Sequence, residues 1–178
     1  IADTETPQGI IAVCEMRSKR LDDFLASGKM LLVLDRVTDP GNIGTMLRTA
    51  DAAGVGGLLL LQGCADIYAP KTVRASMGSL FHLPVLSGLS EELLVQAARK
   101  AGYELLVTCL DGADNLYKAD LKGRLAFVMG NEANGVSPAL LAAADKRVFI
   151  PMQGRAESLN VAMAAGIVMF EALRQRLK

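Results

Sequence analysis

Short apolar runs with no polar face are the feature that constrains this chain most. Residues 31–34, 58–61, 105–109 and 126–129 carry no charge and no regular polar alternation. A strand with one solvated face alternates apolar with polar residues, whereas a strand covered on both faces does not. Residues 10–14, 83–86 and 148–150 read as further strands of this kind. Helical patterns separate the runs, at 21–26, 43–53, 71–78, 91–101, 139–144 and 161–176. Apolar strands alternating with amphipathic helices predict an α/β fold: a doubly wound, mostly parallel sheet between two helical layers.

Helix punctuation agrees with this reading. Asp39-Pro40-Gly41-Asn42 is a turn, with Asn42 read as the N-cap of the helix that follows. Pro70 suits a first helical turn, and Ser137-Pro138 places a cap before a proline. Ser90 caps a helix whose first turn holds Glu91 and Glu92, while Arg174, Arg176 and Lys178 crowd the end of the last helix. Both placements suit the helix dipole. No repeat or internal linker interrupts the 178 residues, which read as one domain, with 1–9 as the end of a linker from an upstream domain.

Composition excludes several classes. Apolar residues make up 51% of the chain, too many for a disordered segment. No apolar run approaches the roughly 20 residues of a membrane span. The 19 basic and 19 acidic residues balance, which argues against a strongly basic nucleic-acid module. Cys14, Cys64 and Cys109 form no CxxC pair, so the expectation is a reducing, cytoplasmic compartment and no structural zinc. His82 is the only histidine, which excludes a multi-histidine metal site and disfavours a Ser-His-Asp triad; it reads as structural or partly exposed. With no tryptophan and 4% aromatic residues, a stacking platform for single-stranded nucleic acid is not visible. A GxGxxG fingerprint, a P-loop and a GxSxG elbow are all missing, which disfavours a nucleotide-binding oxidoreductase.

Ligands of parallel α/β sheets bind at the carboxyl ends of the strands. Three segments stand there. In the first, the strand ending at Leu34 leads through a glycine-flanked turn to Asn42, Gly44 and Arg48. It is either an ordinary capped helix with a surface arginine or a site where Asn42 and Arg48 converge. In the second, Gly130-Asn131-Glu132-Ala133-Asn134-Gly135 follows an apolar strand. It is either a plain turn or a loop whose glycine lets the backbone approach a ligand. In the third, Ile150-Pro151-Met152 leads to Ser158-Leu159-Asn160-Val161 and a helix with small residues at Ala162, Ala165 and Gly166. Ser158 and Asn160 are either caps or ligand contacts.

In this order, the three segments resemble the three signature motifs of the SpoU/TrmH family of SPOUT-class RNA methyltransferases. The resemblance covers about residues 31–176, and the stretches 75–79 and 81–85 share it. It implies a three-layer α/β/α, Rossmann-like sheet with a C-terminal trefoil knot, an expectation that strand patterns alone do not raise. It implies S-adenosylmethionine as cofactor, no metal and no membrane. It also implies a homodimer and methyl transfer to a ribose 2′-hydroxyl of RNA. Ribosomal RNA is the preferred substrate. Transfer RNA, or a non-catalytic RNA-binding or ribosome-assembly role, stands as the alternative.

By the same resemblance, backbone groups of Gly130, Ile150 and Leu159 hold the adenosyl part. Met129, Asn131, Met152, Ser158 and the strand end at Thr108 and Leu110 complete the pocket. Asn42, Arg48, Glu132, Ser158 and Asn160 form the catalytic set. Arg48 acts either as general base, the role usually given to its counterpart, or as a ligand of phosphate or of the developing alkoxide. A protonated guanidinium has no acceptor, which makes the first role chemically awkward. Glu132 orients Arg48 or offsets local positive charge, and Asn42 anchors Arg48 or the ribose. Arg174 and Arg176 either contact RNA phosphates or serve the helix terminus.

Overall fold

The structure, a computed structural model, describes residues 6, 9, 10, 12–16 and 19–177. Its elements in chain order are α1 (Leu21–Ala26), β1 (Leu31–Leu34), α2 (Pro40–Ala52), β2 (Gly57–Leu61), α3 (Pro70–Ala75), β3 (Val85–Leu89), α4 (Glu91–Lys100), β4 (Glu104–Thr108), β5 (Asp114–Asn115), β6 (Leu125–Met129), α5 (Pro138–Ala143), β7 (Lys146–Phe149) and α6 (Val161–Arg176). The strands form one seven-stranded sheet in the order β3-β2-β1-β6-β4-β7-β5. Every pair is parallel, so all carboxyl ends lie along one edge.

The apolar runs are strands because each one feeds two cores. Leu32, Leu34, Leu58, Leu60, Leu106, Phe127 and Met129 face α2 and α6. Their chain neighbours Leu31, Val33, Leu59, Leu61, Leu105, Ala126 and Val128 face α1, α4 and α5. Alternate side chains of a strand point to opposite faces, so a run without polar members is what two helical layers require. α6 packs against α2, where a Cβ added at Gly166 would stand in ordinary contact with Thr49, 3.5 Å from its Cγ2. At Gly44 the fit is tighter still, since an added Cβ would stand 2.5 Å from the Ala75 Cβ.

Several sequence expectations need correction. Ile10, Ala12, Val13 and Cys14 are exposed and form no strand, because no strand of the sheet lies beside them to pair with; Ile11 lies outside the described residues. Most of residues 1–9 also lie outside them. Pro84 has no N–H to donate, and the third strand starts after it, at Val85, with a register shift at the left-handed Gly88. β5, two polar residues long, carries no apolar signal. The cap of α2 is Asp39, not Asn42: proline occupies the first helical position, so the cap must precede it. Ser90 and Ser137 cap as expected. His82 is exposed and pairs with Asp51 at 3.2 Å. Among the described residues, no helix is long and apolar enough to cross a membrane.

Candidate functional site

A cleft of about 650 Å³ opens at the carboxyl ends of β4, β6 and β7. That size suits a small organic ligand or cofactor. Its walls are the ends of these strands, the loop from Gly130 to Val136, and the loop from Ile150 to Asn160 that leads into α6. Thr108, Leu110, Met129, Gly130, Asn131, Ile150, Met152, Ser158 and Leu159 all line it, as do Glu132 and Asn160. Cys109, within the strand end already assigned to the pocket, lines it too, as do Asp111, Arg147 and Glu157, which were not singled out from sequence. The lining mixes apolar side chains with a few polar ones, which fits a ligand that is itself part apolar and part charged.

Glu132 is the electrostatic centre of the cleft rim. Its Oε1 accepts the Asn42 Nδ2 at 3.0 Å and the Asp39 N–H at 3.3 Å. Its Oε2 accepts the N–H of Thr38 at 3.3 Å and its hydroxyl at 3.4 Å. Desolvation pushes the Glu132 pKa up, but the bonds from Asn42 and from the N–H groups of Glu132, Thr38 and Asp39 outweigh it and hold the pKa below the usual glutamate value. Thr38 and Asp39 were missed from sequence, because backbone donors leave no side-chain signature.

Asn42 then passes the contact on. A carboxylate only accepts, so Asn42 turns its NH₂ to Glu132 and leaves Oδ1 free. That oxygen accepts the Asn160 Nδ2 at 3.0 Å. Asn160 in turn caps α6, its Oδ1 accepting the N–H of Ala162 at 2.9 Å and of Met163 at 3.3 Å. Asn42 is available for this role because Asp39 does the capping of α2. Of the two helix-entrance candidates, Asn160 is the cap, while Ser158 is an exposed residue of the cleft loop.

Arg48 is not held by this network. It is exposed on α2 and has no hydrogen-bond or ion-pair partner among the described residues, Glu132 and Asn42 included. An added Cβ on Gly130 would stand 2.2 Å from the Gly135 carbonyl carbon and the Val136 nitrogen, so the glycine makes room for its own loop, while its backbone lines the cleft. The Arg174 guanidinium is paired with Glu171 but stays exposed, while the Arg176 guanidinium donates to the Gly123 carbonyl at 2.7 Å.

The first turn after β1 holds a further unit. Asp35 is fully buried and accepts the Ser137 N–H at 2.7 Å and the Arg36 Nε at 2.9 Å. The Arg36 pKa is raised, chiefly by this bond. Its sequence signal was a lone acid directly after an apolar run, which also fits an ordinary loop start.

Comparison with known proteins places this geometry. The model of the SpoU rRNA Methylase family matches residues 29–170. The 23S rRNA (guanosine(2553)-2′-O)-methyltransferase RlmP of Bacillus subtilis is 40% identical over 96% of this chain and 66% of its own length. The 23S rRNA (uridine(2479)-2′-O)-methyltransferase of Streptomyces viridochromogenes is 41% identical over 97% of the chain and 62% of its own length. An AdoMet-bound rRNA methyltransferase from Sinorhizobium meliloti superposes with a TM-score of 0.84 at 38% identity, covering 92% of this chain and 63% of that structure. The chain thus spans just under two thirds of the length of each of these proteins.

Proposed function

We propose that this chain, which belongs to the SpoU rRNA Methylase family, transfers a methyl group from S-adenosylmethionine to a ribose 2′-hydroxyl of ribosomal RNA. The observation that carries this reading is the cleft itself: every residue that the sequence motifs assign to the cofactor lines one cavity, with the Glu132–Asn42–Asn160 chain at its rim.

S-adenosylmethionine supplies the methyl group as a sulfonium. Leu110, Met129, Ile150, Met152 and Leu159 offer apolar walls to its nucleoside, and Thr108, Asn131 and Ser158 offer polar atoms. Glu132, kept charged by its donors, fixes the amide orientation of Asn42 and through it that of Asn160. The Asn pair thereby presents a defined polar edge to the incoming ribose. Held positions of this kind convert a bimolecular displacement into a near-unimolecular one, a contribution of roughly 7–11 kcal/mol to lowering the barrier.

Arg48 keeps a free guanidinium in water, a donor without an acceptor. We assign it to the RNA phosphate or to the alkoxide that develops as the hydroxyl loses its proton, not to the role of base. The reading includes a C-terminal trefoil knot, a cytoplasmic location, and a homodimer. Support for the dimer is the exposed apolar pair Met163 and Phe170 on α6. The balanced charge supports a catalytic domain that leaves bulk RNA affinity to a separate upstream domain, for which residues 1–9 would end the linker. Calorimetry with S-adenosylmethionine, followed by methylation of ribosomal RNA and mapping of the modified ribose, tests the function. Absence of cofactor binding, or methylation of a base instead of a ribose, overturns it.

A further inference from the structure

The cleft loop between β6 and α5 owes its position to a residue that does not line the cleft. Asp35 is fully buried just after β1. Its own N–H donates to the Met129 carbonyl at 2.9 Å, where β6 ends. Its Oδ2 accepts the Ser137 N–H at 2.7 Å, where the loop runs into α5. The next residue, Arg36, has a left-handed backbone with φ of 53°, an uncommon conformation for a side chain of this size. In that conformation its carbonyl accepts the Asn131 Nδ2 at 2.8 Å, and its guanidinium turns back onto Asp35 through Nε at 2.9 Å and Nη2 at 3.1 Å. The Asp35–Arg36 pair therefore grips the loop at both of its ends. Between the two grips, the loop closes on itself through the Asn131 and Gly135 backbone pair and carries Glu132 outward to Asn42.

We propose that Asp35 is a positioning residue: its buried carboxylate sets the register of the Gly130–Ser137 loop, and so the cofactor wall and the reach of Glu132. A one-sided hydrogen bond would fasten only α5. The two-ended grip fixes the intervening loop as a unit, and the bidentate guanidinium gives the carboxylate the charged partner that burial demands. This rests on the methyltransferase reading for its functional consequence and not for its structural one.

The two are separable by experiment. Asp35→Asn keeps an oxygen for the Ser137 N–H but turns an NH₂ toward the guanidinium; Asp35→Ala removes both partners. Val55→Ala, in the core on the other face of the sheet from the loop and α5, is a control for plain destabilisation. Amide hydrogen exchange of the protein without cofactor reads the loop, and calorimetry reads S-adenosylmethionine binding. The expected result is at least tenfold faster exchange across residues 131–137 in Asp35→Asn, with β1 and β6 unchanged. Cofactor binding is expected to weaken at least tenfold, and the control should show neither effect. If Asp35→Ala does not fold, Asp35→Asn alone decides. Exchange and binding within twofold of the unaltered protein, or changes no larger than those of the control, overturn the proposal. Should the unaltered protein bind no cofactor, the methyltransferase reading falls, and the exchange data still decide the role of Asp35.

Discussion

Asn160 donates to Asn42 at 3.0 Å across 118 residues of sequence, and this one bond joins the entrance of the last helix to that of the second. The bond has a direction. Glu132 can only accept, which fixes the Asn42 amide, and the α6 cap uses the Asn160 oxygen, which leaves its NH₂ for Asn42. Asn160→Asp separates the two functions of this residue. Aspartate still caps the helix but cannot donate to Asn42. Melting temperature is expected to stay near that of the unaltered protein, while single-turnover methylation falls about 10- to 100-fold, the rate equivalent of ~1.4–2.7 kcal/mol. An unchanged rate together with an unchanged melting temperature would assign Asn160 to capping alone.

Arg48 is exposed and unpaired among the described residues, so its removal costs the fold little. Arg48→Ala is expected to leave stability and cofactor affinity unchanged and to lower single-turnover methylation by about 10²–10³, the usual loss when one donor to a developing charge is removed. Measured side by side by calorimetry and rapid quench, near-normal methylation would remove Arg48 from the chemistry.

Gly130 is required by packing. An alanine Cβ would stand 2.2 Å from the backbone of Gly135 and Val136, and no side-chain rotation relieves a clash between backbone atoms. Gly130→Ala is expected to cost about 1–3 kcal/mol through overpacking, and to weaken cofactor binding because the displaced loop is a cleft wall. Thermal melts and calorimetry check both.

These residues also explain how much was legible in sequence. The central strands were plain because both of their faces are apolar, a pattern no loop sustains. The cleft loops were only half legible: glycines and small polar residues follow strand ends, where parallel sheets bind ligands, but the same residues fit plain turns and caps, and the family resemblance alone assigned them to a cofactor. Asn42 was misplaced as a cap, although Pro40 already implied that the cap lay at Asp39. Residues 10–14 carry strand-like side chains, but pairing needs a neighbouring strand, which sequence patterning cannot supply. Asp35 and the backbone donors of Thr38 and Asp39 were invisible as functional groups, because their role depends on loops about a hundred residues away in sequence.

Acid is expected to loosen the docking of α6. The Arg174 guanidinium and then the Gln175 amide hold the Glu171 carboxylate down to about 2, below its ordinary value of 4.5. Gln175 also receives the Leu121 N–H at 3.0 Å and donates to the Ala119 carbonyl at 3.0 Å, so this cluster ties the helix to the segment before β6. A pKa lower in the folded state means that the unfolded chain binds the proton first. The stabilisation is therefore complete above pH 4.5 and is lost as pH falls toward 2. Glu171→Gln is expected to lower the melting temperature at neutral pH and to flatten its decline across that acid window. Equal acid slopes in the two proteins would place the linkage elsewhere.

The exposed side of α6 makes the homodimer testable. Met163 is 61% exposed and Phe170 46% exposed, with the partly buried Ile167 between them. At this spacing the three share one helical face. The face begins two turns or less from Asn160, so a partner seated on it would stand close to the cleft rim. Burying such a strip against its symmetry mate removes apolar area from water at roughly 25 cal/mol per Å², while charges placed there would have to be buried unpaired. The double variant Met163→Glu, Phe170→Glu is expected to shift sedimentation from dimer to monomer while the far-ultraviolet spectrum stays native. Cofactor affinity read on the same sample shows whether the cleft depends on the second subunit. A dimer that survives both glutamates would move the interface to another face of the molecule.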